Sequence, residues 1–277
     1  MKKIIVPVDF SKHSEYALKT AVQLAKKNKT EVIVLHMLEL YENLLSESNI
    51  AQQEKAIFLL KLAKKRFKRF LNQNYLKGIK ITPIIKHFKV FSEVNEIAKE
   101  ENADLIIMGS HGVSGAKEFF IGSNTEKVIR FSEIPILVIK NELSDIVFKD
   151  IVFACDFSDT SIKPYKNAIK TLKSLGENIH LIYVNTPTEN FKSSAEMEKI
   201  VVEFLQNSEG NLDRLNDVSY ICDYTIENGI LNFANVVGAD LIATITHGRK
   251  GISHFFKGSI AEDIANHATL PVITFKI

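Results

Sequence analysis

The segment Ile4-Ile5-Val6-Pro7-Val8-Asp9-Phe10-Ser11 returns 147 residues later as Ile151-Val152-Phe153-Ala154-Cys155-Asp156-Phe157-Ser158. Val32–Met37 answers Ile179–Val184 at the same offset. Ala103-Asp104-Leu105-Ile106 answers Ala239-Asp240-Leu241-Ile242 at an offset of 136, and so does Pro135–Val138 against Pro271–Thr274. A chain that repeats itself along its length has to fold as two like units. The fall in offset from 147 to 136 places a deletion in the second copy between its second and fourth apolar runs. With 277 residues the chain divides into domains 1–140 and 141–277, each of ordinary size.

Within each copy, short Ile- and Val-rich runs alternate with helix-length segments. The predicted strands are Lys3–Val8, Glu31–Met37, Lys80–His87, Asp104–Gly109 and Ile136–Lys140, then Asp150–Ala154, Asn178–Val184, Val218–Tyr224, Asp240–Ile245 and Val272–Lys276. Runs so little interrupted by polar residues suit parallel strands covered on both faces. Predicted helices include His13–Asn28 behind an N-cap Ser11, and Glu42–Asn74 with Ile57, Leu60, Phe67 and Leu71 on one side. Ser92 is expected to cap Glu93–Glu101, and Ser123 the helix through Val128 and Ile129. Regular strand–helix alternation implies right-handed crossovers, hence an α/β fold of two tandem doubly wound, five-stranded parallel-sheet domains. Such sheets hold ligands beyond the carboxyl ends of their strands, where strand order reverses. Asp9 ends the first strand and Gly109 the fourth, so the two motifs meet if those strands are neighbours.

The fourth strand of the first copy runs into Gly109-Ser110-His111-Gly112, followed by Gly122-Ser123-Asn124. Glycine suits places where the backbone must be approached closely, and a helix start offers N–H groups and a positive dipole end to phosphate. Ser123 either donates to a phosphate oxygen or caps the helix. Asp9 would repel phosphate; it either meets an adenine edge or ribose hydroxyl or caps a helix. The spacing is not that of a Walker A loop, which has Lys after its last glycine, nor of the dinucleotide fingerprint, which follows the first strand. In the second copy Ile245 stands at the position of Gly109, Thr244 at Met108 and Ala154 at Pro7, while Asp156, Val184, Gly248, Gly258 and Ser259 keep the pattern.

Pro7-Val8-Asp9-Phe10-Ser11, Met108-Gly109-Ser110-His111-Gly112, Gly122-Ser123 with Glu126-Lys127-Val128, and Pro135–Val138 together resemble the universal stress protein family. The resemblance spans both copies. It implies a Rossmann-like domain of the adenine nucleotide alpha hydrolase type and, in the first copy, ATP binding. Pro7, Asp9 and Met37 would surround adenine and ribose, with Met108 and Gly109 alongside. Gly112, Gly122, Ser123 and Asn124 would hold the triphosphate, together with a divalent ion such as Mg or Mn. It further implies pairing of the two domains through their last strands and leaves a homodimer open. The second copy is expected to bind ATP weakly or not at all.

Residues 1–140 carry 23 Lys and Arg against 15 Asp and Glu, and residues 141–277 carry 12 against 18. Opposite signs suit mutual docking and an anionic ligand on the first half better than nucleic acid. The basic stretch Lys61–Phe70 reads as a solvated helix face, so no nucleic acid and no membrane partner is expected. No apolar run approaches the ~18 residues of a membrane span. Cys155 and Cys222 lie in apolar runs and are expected as buried free thiols in a reducing cytoplasm. His111 and His247 have no evident nucleophile–base set around them, and His36 reads as a satisfied interior histidine. The histidines lack metal-ligand spacing. The function expected is a cytoplasmic, ATP-binding stress-response protein acting as regulator or protective factor, with a slow ATPase or a nucleotide-free scaffold as the alternatives.

Overall fold

The computed structural model describes residues 1–38, 50–87, 93–111, 121–144, 146–187, 191–246 and 260–277. It divides into two compact units, Met1–Ile134 with Val138–Ile146, and Pro135–Leu137 with Val147–Ile277. In the first, β1 (Lys3–Pro7), α1 (Lys12–Asn28), β2 (Glu31–Leu38), α2 (Ile50–Phe70), β3 (Ile81–His87), α3 (Val94–Glu100), β4 (Leu105–Gly109), α4 (Ser123–Phe131) and the last two residues of β5 (Ile136–Ile139) follow in order. The second runs β6 (Phe148–Ala154), α5 (Ile162–Leu175), β7 (Gly176–Asn185), α6 (Ser194–Glu209), β8 (Val218–Cys222), α7 (Ile226–Val237), β9 (Leu241–Thr246), α8 (Ile260–His267) and β10 (Val272–Lys276).

Strand order is β3-β2-β1-β4-β5 in the first unit and β8-β7-β6-β9-β10 in the second, the same topology twice. β1 is parallel to β2, with Pro7 opposite Leu35, and parallel to β4, with Ile5 opposite Ile106. β6 lies likewise between β7 and β9, with Ala154 opposite Thr244. The strands are apolar without alternation because both faces are covered: Ile4–Val6, Val32–Leu35 and Leu105–Ile107 are fully buried. The repeated Asp104 and Asp240 also have a structural reason. Asp104 accepts the backbone N–H groups of Lys2 and Lys3, and Asp240 those of Lys149 and Asp150, fixing where β1 and β6 begin.

Several expectations are corrected. The N-cap of α4 is Gly122, and Ser123 is the first helical residue. Ile57 is half exposed; α2 turns Ala56 and Ala63 to the core together with the expected Phe67. Cys155 is buried, but Cys222, at the end of the edge strand β8, is exposed. Ser92 and the first residues expected in the long helix lie outside the described residues. Ser11 does cap α1, its Oγ accepting the Ser14 N–H at 3.2 Å.

Candidate functional site

β1 and β4 are neighbours whose crossovers leave in opposite directions, so their carboxyl ends flank the reversal point of the first sheet. Pro7, Met108 and Gly109 end these strands, with Asp9 two residues beyond β1, and Met37 lies one strand away near the end of β2, opposite Lys86. Pro7, Met37 and Met108 are buried. Gly112, Gly248, Gly258, Ser259 and His247 lie outside the described residues.

The Asp9-Phe10-Ser11 turn is built locally. Asp9 Oδ1 accepts the Ser11 N–H at 3.0 Å, and Phe10 takes a positive φ of 68°. That left-handed backbone is costly for a side chain with a Cβ. It is offset by packing, since the Phe10 ring lies 4.3 Å from His36 and 5.5 Å from Phe70 between centroids. His36 Nδ1 donates to Val8 O at 2.8 Å, which makes it the satisfied interior histidine expected. The second unit repeats the turn: Phe157 has φ 52° and Asp156 Oδ1 accepts the Ser158 N–H at 3.0 Å. There the carboxylate also accepts the hydroxyls of Ser158 and Ser161, the latter at 2.6 Å.

Gly109 is required for a reason the sequence does not show. A Cβ built on it would sit 2.5 Å from the backbone carbon of His13, 2.6 Å from its oxygen and 2.7 Å from its Cβ. The first turn of α1 therefore rests directly on the end of β4, and the glycine clears room for that helix.

α4 is fastened to the same place. Gly122 N–H donates to Ser110 O at 2.6 Å, Thr125 Oγ1 to Gly109 O at 2.9 Å, and Ser110 N–H to Ile139 O of β5 at 2.9 Å. The Gly122 N–H thus points to the Ser110 carbonyl. The N–H groups of Ser123, Asn124 and Thr125 open the helix without an acceptor among the described residues. Ser123 is exposed and Asn124 half-buried. Ser110 and Thr125 escaped sequence reasoning; a threonine two residues after the Gly-Ser pair is a weak signal on its own.

His13 and His111 stand beside this seam, ring centroids 5.0 Å apart. Burial holds the His13 pKa below its ordinary value, the neighbouring His111 adds to that, and Asp9 opposes it. His111 Nδ1 lies 2.9 Å from Ser110 Oγ, and its Nε2 is buried with no partner among the described residues. An orphaned buried ring nitrogen and three open helix N–H groups fit a polar, anionic ligand. Among the described residues no three His, Cys, Asp or Glu side chains cluster as metal ligands. No described helix is long and apolar enough to cross a membrane.

The geometry agrees with comparison to known proteins. A universal stress protein of Methanocaldococcus jannaschii is 33% identical over 157 residues, covering 52% of this chain and 97% of that protein. One from Bacillus subtilis is 28% identical over 152 residues, covering 50% and 98%. The crystal structure of a universal stress protein from Archaeoglobus fulgidus matches at a TM-score of 0.66 over 99% of this chain and 98% of that one; at 24% identity this likeness shows the fold. The profile of the Universal stress protein family matches residues 1–140 and again 148–276, so the chain belongs to that family as a tandem, two-domain member.

Proposed function

We propose that the first unit binds ATP above the carboxyl ends of β1 and β4, and that the protein acts in stress response as a nucleotide-dependent regulator or protective factor. The observation that carries this reading is the convergence, at one strand-order reversal, of Asp9, the end of β4 and the open amino end of α4. Membership of the family supports it. Phosphates would accept from the Ser123 and Asn124 N–H groups and the Ser123 hydroxyl, where the helix dipole favours negative charge. Asp9 would accept ribose or adenine donors, with Pro7, Met37 and Met108 as the apolar floor under the base. A divalent ion such as Mg or Mn, if it accompanies the nucleotide, would offset phosphate charge; these residues bind and orient and move no proton.

The second unit, with Ile245 in place of Gly109 and its Asp156 carboxylate held by the hydroxyls of Ser158 and Ser161, is proposed to bind ATP weakly or not at all. Calorimetric titration of ATP into the full chain tests this with Gly112→Val and Gly248→Val. The first substitution is expected to abolish most binding and the second to leave it unchanged; the reverse pattern overturns the assignment. Incubation of labelled ATP with excess protein separates binding from turnover, since ADP formed at a metal-dependent rate replaces the binding reading with a slow ATPase.

A further inference from the structure

The opposite charges of the two halves are concentrated on one pair of equivalent helices. α2 and α6 each follow the second strand of their unit and precede the third. α2 carries Lys55, Lys61, Lys64, Lys65, Arg66, Lys68 and Arg69 against Glu54 alone. α6 carries Lys199 against Glu196, Glu198, Glu203 and Glu209. Every cation of α2 is exposed, and none has an ion-pair partner among the described residues. The same helix exposes two large apolar side chains, Phe58 at 64% and Ile57 at 50%, whereas α6 exposes none. The core-facing residues Ala56, Ala63 and Phe67 occupy the other side. Spacings of three, four, seven and eleven put Phe58, Lys61, Leu62, Lys65 and Arg69 on one outer line. That line runs along a helix about 31 Å long.

We infer that this outer face of α2 docks the protein onto an anionic phospholipid surface. Charge complementarity supplies the attraction: a row of cations held within a Debye length of a negative leaflet is drawn to it. The exposed Phe58 and Ile57 supply what attraction alone lacks, apolar groups that gain from entering the headgroup–acyl boundary. A nucleic-acid strand fits less well. Base stacking uses aromatic platforms and has no use for an exposed isoleucine. The cations are five lysines and two arginines, whereas forked recognition of phosphate and base edges favours arginine. α6, in the same fold position with the opposite charge, shows that this architecture does not itself require a basic helix there. The inference stands apart from the nucleotide reading.

Co-sedimentation of the full chain with phosphatidylcholine vesicles, with and without phosphatidylglycerol, tests it. Binding is expected only with phosphatidylglycerol and falls as salt rises. Lys61→Glu with Lys65→Glu weakens it more than about 25-fold, at roughly fivefold per cation lost. Phe58→Ser weakens it about tenfold without changing the salt dependence, and Lys199→Glu on α6 changes nothing. All four positions are exposed, and circular dichroism verifies that the variants fold. The inference is overturned by failure to sediment with anionic vesicles at low salt, by equal binding to neutral ones, or by indifference to the lysine pair or to Phe58→Ser. Binding of a single-stranded oligonucleotide, lost in the lysine variant, with no binding to vesicles overturns it in favour of nucleic acid.

Discussion

Gly109→Ala is the smallest change that separates two explanations of the glycine at the end of β4. If the glycine serves the fold, the added methyl meets the backbone of α1 and must move a helix. The nearest atoms are the backbone carbon and oxygen of His13 at 2.5 and 2.6 Å and its Cβ at 2.7 Å, all well inside contact distance. None is the free end of a side chain that could swing aside. Both partners are regular elements fixed at their other ends, β4 by pairing with β1 and α1 by its buried face of Ala17, Leu18, Ala21 and Leu24. Overpacking of this kind costs about 1–3 kcal/mol, and a backbone clash belongs at the upper end. For a unit of this size, about 2.5 kcal/mol lowers Tm by roughly 5–10 °C. Thermal unfolding followed by circular dichroism, together with urea midpoints, measures it. Replacing the His13 side chain as well should not rescue the variant, since two of the three clashing atoms are backbone. A Gly109→Ala protein with unchanged Tm and lost ATP binding would refute the reasoning, because the glycine would then serve the ligand.

Two further changes probe the same unit. Thr125→Val removes the buried bond from Thr125 Oγ1 to Gly109 O while keeping the shape, and leaves that carbonyl without this donor. A loss of about 1–2 kcal/mol is expected by urea unfolding. Tyr75 Oη is buried with no hydrogen-bond partner among the described residues, and burial raises its pKa from 10.0 to about 12. Tyr75→Phe should therefore stabilise, by about 1 kcal/mol at neutral pH. The sign at alkaline pH follows from the raised value. Below pH 10 both states keep the proton; between pH 10 and about 12 the unfolded chain releases it first, so the parent loses stability as pH rises. Denaturation midpoints across that window should fall more steeply for the parent than for Tyr75→Phe.

The fold was legible because its signals are local and repeated. Apolar runs of strand length, the Ser11 cap and the doubled motifs place all ten strands within a few residues of where they lie. Long-range contacts were not legible. Nothing in the sequence says that the helix beginning at Lys12 rests, at His13, on the strand ending at Gly109. The glycine therefore read as an opening for a ligand, and the close approach of His13 to it went unseen. Ile57 read as core beside Phe67 because both are large and apolar at helical spacing, whereas the buried line through Phe67 runs over the small residues Ala56 and Ala63. Asp9-Phe10-Ser11 drew notice as a site motif, yet a like turn, again with a positive φ at its phenylalanine, recurs at Asp156-Phe157-Ser158. Its repetition reflects a turn that both units need.

The replacement of Gly109 by Ile245 follows from how the first helix of each unit meets its sheet. α1 lies against β4, and the residues it turns inward there include Leu18, Val22 and Ala25. The matching positions of α5 are Tyr165, Ile169 and Leu172, and α5 packs against β7 and β10. Larger side chains would hold a helix farther from a sheet, which would leave room for a Cβ at the end of β9. The start of the helix has changed in step. Where α1 begins at Lys12, the second unit forms a 3₁₀ turn, Asp159–Ser161, and α5 begins at Ile162, three residues later in the repeat. That turn brings the Ser158 and Ser161 hydroxyls onto Asp156. The branched residue, the delayed helix and the hydroxyl-bound carboxylate occur together in the second unit. Restoring a glycine at position 245 alone would leave α5 where its own side chains put it.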